Sequence, residues 1–215
     1  MYRRVPWGRF TMSAWLDRAQ AALYVLSQRL VGADLAREQC VAALAPRAGQ
    51  RILDIGCGPA YYLNALPPCE YHGFDTDRAQ IAAARERFGD RGTFYSEPYM
   101  SSHCEQLGQF DGVMLLGLLH HLDDAECKSL LELVVRSMKP GARVVTLDTA
   151  FFPGQSGLAA AIARRDRGKF VRPAEQFRSM AEGVFERVET RIVGDTLRMP
   201  ASHFMMVLER PRSAS

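Results

Sequence analysis

The sequence predicts an α/β protein: a doubly wound, mostly parallel seven-stranded sheet with helices on both faces and an antiparallel last strand. Three observations predict it. From Gln50 onward, short apolar runs alternate with amphipathic helical stretches, the pattern of successive β-α-β crossovers. The runs Val113-Met114-Leu115-Leu116 and Val144-Val145-Thr146-Leu147 are nearly continuous rather than alternating, as strands are when helices cover both faces. The first run also passes directly into Gly56-Cys57-Gly58, a turn at the carboxyl end of a strand, where open α/β sheets form their ligand crevice.

Residues 12–44 read as one or two helices ahead of the sheet, so residues 1–49 are expected to form a helical cap or lid. The sheet domain then occupies residues 50–211, and residues 212–215 are a polar tail. Strands are expected at Arg51–Ile55, Tyr71–Asp75, Thr93–Ser96, Phe110–Leu116 and Arg143–Asp148. Between them, Ile81, Ala84 and Phe88 share one face of a helix beginning near Asp77. Cys127, Leu130, Leu131, Val134 and Met138 form a second helical stripe, capped by Asp123 or Asp124 and stopped before Pro140-Gly141. Residues 154–182 read as helical with a break near Gly168–Pro173. Val184–Val193 and His203–Glu209 read as two late strands, the second antiparallel because too few residues separate them for a helical crossover.

The composition excludes several classes. With 47% hydrophobic and 24% charged residues over 215 positions, the chain is ordinary globular protein and neither disordered nor collagen-like. Its longest apolar stretch, Gly112–Leu119, is eight residues, far short of the roughly 20 that span a bilayer. The net charge of +3 is unevenly spread, with an acidic centre between basic ends. A nucleic-acid binder should show a dense basic stripe with interleaved aromatics, and that is missing. One basic cluster, Arg164-Arg165-Asp166-Arg167-Gly168-Lys169 with Arg172, reads either as a solvated helix end or as a patch for an anionic substrate. Five cysteines without C-x-x-C spacing, and histidines without H-x-x-x-H spacing, give no disulfide framework and no metal site. They suit a reducing compartment, and the N-terminus shows no secretory signal pattern, so the expected address is cytoplasmic.

The informative segment is Asp54-Ile55-Gly56-Cys57-Gly58-Pro59-Ala60-Tyr61. Glycines let the chain turn sharply and let a ligand touch the backbone, and Pro59 suits a helix start. A dinucleotide fingerprint would place a third glycine where this chain has Tyr61, which obstructs close helix–strand packing. Asp75 follows 21 residues after Asp54, at the end of the next strand, where a carboxylate can accept hydrogen bonds from both ribose hydroxyls. The set suits a nucleoside with a cationic tail and no phosphate.

These residues resemble the class I S-adenosylmethionine-dependent methyltransferases of the small-molecule type. Asp54-Ile55-Gly56-Cys57-Gly58 is similar to their first motif and Gly73-Phe74-Asp75 to their ribose-binding acid. Phe110-Asp111-Gly112-Val113 through Leu118-Leu119-His120-His121-Leu122 resembles their fourth-strand motif, and Met138-Lys139-Pro140-Gly141-Ala142 the turn before their fifth strand. The resemblance covers residues 50–150 well and the two ends by architecture, making residues 50–211 a Rossmann-like domain. Two departures stand out: Ala60 where the family often has glycine, taken here to lie within the following helix, and Ser96-Glu97 where many relatives carry Asp.

The resemblance implies S-adenosylmethionine as cofactor and S-adenosylhomocysteine as product. Gly56, Cys57 and Gly58 would offer backbone to the methionyl part, with Asp54 supporting its amino group. Asp75 would hold the ribose hydroxyls and Thr76 would pack beside the adenine, whose edge Ser96 and Glu97 would border. Leu116 and Gly117 would line the pocket near the sulfonium.

Methyl transfer needs a base only when the acceptor is protonated. His120 and His121 follow the fourth strand and titrate in the useful range, with His121 the favoured base and His203 a distant second candidate. Leu115-Leu116-Gly117-Leu118 departs from the Asn/Asp-Pro-Pro-Tyr cluster of base and amide methylators, which points to oxygen. Asp148 ends the fifth strand without a partner acid on the fourth, so a catechol-type magnesium site lacks a second carboxylate. Trp7, Phe10 and Trp15 could form a lid, and Phe151, Phe152 and Phe170 an apolar wall. With the basic cluster they would suit a small anionic acceptor. Two alternatives stay open: a nicotinamide-dependent oxidoreductase, opposed by Tyr61 and by the lack of a Tyr-x-x-x-Lys pair, and a non-catalytic cofactor-binding protein. Oligomeric state is not legible.

Overall fold

A computed structural model describes residues 33–166, 168–193 and 203–212. In chain order the elements are α1 (Ala33–Leu44), β1 (Arg51–Ile55), a 3-10 turn (Tyr61–Asn64), β2 (Glu70–Phe74), α2 (Arg78–Phe88), β3 (Thr93–Tyr95) and α3 (Ser101–Leu107), with further 3-10 turns at Gly89–Arg91 and Leu119–His121. They continue with β4 (Phe110–Leu116), α4 (Asp124–Arg136), β5 (Met138–Thr149), α5 (Gly157–Arg164), α6 (Ala174–Glu182), β6 (Phe185–Val193) and β7 (His203–Pro211). The seven strands form one sheet in the order β3-β2-β1-β4-β5-β7-β6. Pairs from β3 through β5 are parallel, and β7 runs antiparallel to both β5 and β6. The expected class is the observed one. The order reverses between β2-β1 and β4, which opens a crevice at the carboxyl ends of β1 and β4.

Period-two alternation divides the core between the two faces. Leu53, Val113, Leu115 and Val144 meet Leu131 and Val134 of α4 and Phe177 of α6. Ile52, Met114, Val145 and Val207 meet Ala36, Cys40 and Leu44 of α1 and Ile81 of α2. Burying each such Leu, Ile or Phe contributes about 1.5–3 kcal/mol. The cap at Asp77 forms, its side chain accepting from the backbone N–H groups of Ala79 and Gln80. Asp123 is the cap of α4, in a reciprocal box with Glu126.

Helix α1, within the expected N-terminal cap segment, packs into the core of the sheet domain, while residues 1–32, with Trp7, Phe10 and Trp15, lie outside the described residues. Residues 213–215 of the polar tail do too. Two expectations change. β5 begins at Met138, not Arg143: Met138 pairs with Phe110, an irregularity absorbs Pro140-Gly141, and pairing resumes at Gly112 and Arg143. No long helix follows the glycine loop. Ala60 takes a left-handed conformation (φ 55°) instead of helical geometry, and only the 3-10 turn fits before Pro67-Pro68 leads into β2.

Candidate active site

The site begins where β1 ends. The backbone N–H groups of Gly56 and Cys57 both donate to the Phe74 carbonyl, at 2.8 and 3.0 Å, which stitches the loop to the end of β2. Gly56 holds φ +76°, and a Cβ there would lie 3.2 Å from Leu118 Cδ1, so this turn requires glycine. One residue beyond β2, Asp75 Oδ2 accepts from the Gly58 N–H at 2.8 Å and Oδ1 from the Asp77 N–H at 2.8 Å. Each of these oxygens keeps a further lone pair for a ligand.

A crevice of about 1350 Å³ opens over this loop. Gly56, Cys57, Gly58, Asp75 and Thr76 line one side, Glu97 borders it, and Leu116, Gly117, His120 and His121 line the other. These sequence-predicted residues are brought together. Two others are not on the lining. Asp54 lies buried beneath the loop, with Oδ2 accepting from the Tyr71 hydroxyl at 2.6 Å and Oδ1 without a partner. Burial pushes its carboxyl up to about 7, against the pull of the Tyr71 hydrogen bond and with the help of the Asp75 charge. Ser96 turns its hydroxyl into a buried position, also unpartnered. Its neighbour Glu97 stands 3.6 Å from His103 Nε2.

The two histidines have different surroundings. His120 is buried, with Nδ1 2.8 Å from Asp148 Oδ1 and Nε2 3.3 Å from Asp166 Oδ1. Its backbone N–H also donates to Asp148 Oδ1. Burial alone would depress its pKa, but the hydrogen bonds to Asp148 and Asp166 outweigh that and lift it to about 9. His121, its ring centroid 4.3 Å from that of His120, is exposed on the crevice. Partial desolvation and the His120 charge hold it below the usual imidazole range, against the opposite pull of Asp166 and Asp148. His203, at the start of β7, also reaches the crevice, and burial lowers it as well.

Asp166 is the residue that sequence reasoning passed over. It stands inside a basic run in the sequence, yet it lines the crevice and accepts from Thr149 Oγ1 at 2.9 Å and from the Gly168 N–H at 2.7 Å. The His120 hydrogen bond foremost, together with these donors, holds its carboxyl well below the usual range despite burial. A lone acid among arginines was the available signal. The basic cluster itself does not face the crevice. Arg172 is buried and donates to the carbonyls of Leu119 and Leu122 while pairing with Asp124 at 2.9 Å. Arg164, Arg165 and Lys169 are exposed and off the lining, and Arg167 lies outside the described residues. Phe151, Phe152 and Phe170 are also off it.

Residues 53–144, which carry the glycine loop, Asp75 and the β4 turn, match the family model described as a methyltransferase domain. That central segment of the chain thus carries the sequence pattern of a methyltransferase domain. Among curated relatives, the chain is 29% identical over 175 residues to the 27-O-demethylrifamycin SV methyltransferase of Amycolatopsis mediterranei, covering 77% of this chain and 61% of that one. It is 27% identical to the ubiquinone biosynthesis O-methyltransferase of Thiobacillus denitrificans, covering 67% of this chain and 68% of the relative. The chain thus spans about three-fifths of the length of the first of these relatives. The N-methyltransferase NodS of Bradyrhizobium japonicum, solved in complex with S-adenosylhomocysteine, shares the fold at a TM-score of 0.64 and 17% identity, covering 83% of this chain and 87% of that one.

Proposed function

We propose that this protein is a methyltransferase that moves the methyl group of S-adenosylmethionine to oxygen on a small-molecule acceptor. The observation that carries the reading is one crevice holding both a nucleoside cradle, Gly58 against Asp75, and a neutral imidazole, His121. The residues fit the cofactor. Gly56 leaves open a space that a Cβ would crowd, Asp75 keeps acceptor capacity for ribose hydroxyls, and the unpartnered Asp54 Oδ1 is an acceptor oxygen behind the loop for the amino group of the methionyl tail. Glu97 would accept from the adenine amino group beside Thr76, while Ser96 stands behind it, and Leu116 and Gly117 would flank the sulfonium.

The cofactor, when bound, supplies a methyl group already activated on a sulfonium. The protein's task is alignment, which can contribute on the order of 7–11 kcal/mol. His121 accepts the proton of an acceptor hydroxyl at a ring nitrogen as oxygen attacks the methyl carbon. The cofactor would supply the leaving group, keeping the electron pair of the broken methyl–sulfur bond as a neutral thioether. His120 does not share this role, because carboxylates face both of its ring nitrogens.

An anionic acceptor finds little support, since Arg164, Arg165, Lys169 and Arg172 are off the lining while Asp75, Glu97, Glu126 and Asp166 are on it. A pyrophosphate-bearing cofactor fits poorly, because the single 3-10 turn after Ala60 offers no long helix N-terminus. Free buried thiols at Cys40, Cys57 and Cys127 suit a reducing, cytoplasmic setting. None of the helices among the described residues is long and apolar enough to cross a membrane. Incubation with S-adenosylmethionine and a panel of phenolic and sugar hydroxyl acceptors tests the function. Acceptor-dependent S-adenosylhomocysteine formation that collapses in His121→Ala supports it. Cofactor binding without turnover across the panel would favour the non-catalytic alternative.

A further inference from the structure

We propose that Asp166 is a positioning residue: it takes the outer ring N–H of His120, leaves that ring no free nitrogen toward the crevice, and so assigns proton acceptance to His121. Only the last clause rests on the methyl-transfer reading. The rest stands on the packing around His120.

A carboxylate oxygen stands on each side of the His120 ring, Asp148 Oδ1 at Nδ1 and Asp166 Oδ1 at Nε2. A neutral imidazole has one N–H and one bare nitrogen, and a bare nitrogen facing a carboxylate is repelled. Two carboxylates therefore demand two N–H donors, and the ring is held as the cation. Asp148 alone engages only Nδ1 and would leave Nε2 without a carboxylate partner, open as a second base beside His121. Asp166 removes that option. Its own orientation is fixed by Thr149 Oγ1 and the Gly168 N–H, so the carboxylate is aimed before any ligand arrives.

The path of the chain past His120 serves the same contact. The Phe170 N–H donates to the His120 carbonyl at 2.9 Å. A Cβ on Gly168 would lie 2.1 Å from His120 Cδ2 and 2.7 Å from its carbonyl oxygen, so no other residue lets the Asp166 turn come this close. The remaining titratable groups facing the ring are His121 beside it in the same turn and His203 from β7, both held below the usual imidazole range. Neither competes for the two carboxylates.

The test is ring-nitrogen NMR of the labelled full chain, with the His120 signals assigned through His120→Gln. In the wild type, His120 should hold protons on both ring nitrogens at about pH 8. In Asp166→Asn its proton affinity should fall at least about tenfold, with the neutral Nδ1–H form present at that pH. Asp166→Glu should restore part of the shift. Gly168→Ala, which keeps the carboxylate and disturbs only the approach, should move the same signals in the same direction. A wild-type His120 that titrates in the ordinary imidazole range, or one that responds to neither variant, would overturn the proposal. Binding of S-adenosylhomocysteine to the wild type reports separately on the cofactor reading.

Discussion

The carboxylate of Asp75 and the backbone N–H of Gly58 meet at 2.8 Å across the mouth of the crevice. That bond joins the two halves of the nucleoside cradle, the loop after β1 and the acid after β2. It also fixes the Asp75 oxygens at the strand end, where ribose hydroxyls would meet them. Positions that depend on one another in this way yield specific expectations for substitution.

Asp75→Ala removes the charged acceptor for the ribose and frees the Gly58 N–H. Affinity for S-adenosylhomocysteine should fall by about 1.5–3 kcal/mol, roughly ten- to a hundredfold. Titration calorimetry measures it directly, and unchanged affinity would take Asp75 out of the site.

His121→Ala should depress turnover by about 10²–10⁴ while cofactor affinity holds, because a base acts on the acceptor rather than on the nucleoside. A loss of less than about threefold would return His121 to a structural role.

His120 makes folding stability depend on pH. Its folded pKa of about 9 lies above its unfolded value, so its contribution is fully present below about pH 6.5 and is lost as pH rises through about 9. The loss should be on the order of 3 kcal/mol. Denaturant unfolding across that window should show wild-type stability falling, and His120→Gln should flatten the slope. An equally steep slope in the variant would refute the assignment.

Asp54 acts in a lower window. Its carboxyl is raised to about 7 by burial, so the folded state binds more protons than the unfolded chain from about pH 4 up to about 7, and stability falls across that range. Asp54→Asn cannot ionise. Relative to wild type it should therefore gain stability between about pH 5 and about pH 8. Parallel stability curves for the two proteins would show that Asp54 is not raised.

Much of this was legible in the sequence because local chemistry and tertiary structure agree. Continuous apolar runs became strands covered on both faces, and the acids at Asp77 and Asp123 capped the helices they precede. Glycine-rich turns at strand ends put the loop and Asp75 on one crevice. The failures have a common cause, which is contact at long sequence separation. Asp166 reaches His120 across more than forty residues, and nothing in its neighbours signals that. Arg172 looked free for an anion because its carbonyl partners at Leu119 and Leu122 are equally remote. Pro59 favours a helix start at Ala60, but on the short path into β2 Ala60 is left-handed.

The most direct test of the central claim is titration calorimetry of the purified protein with S-adenosylmethionine, S-adenosylhomocysteine, NAD and NADP under one set of conditions. The account predicts micromolar binding of the two sulfur nucleosides and none of the dinucleotides. Binding of a dinucleotide in their place would contradict it, and the roles given to Gly56, Gly58, Asp75 and His121 would fall together.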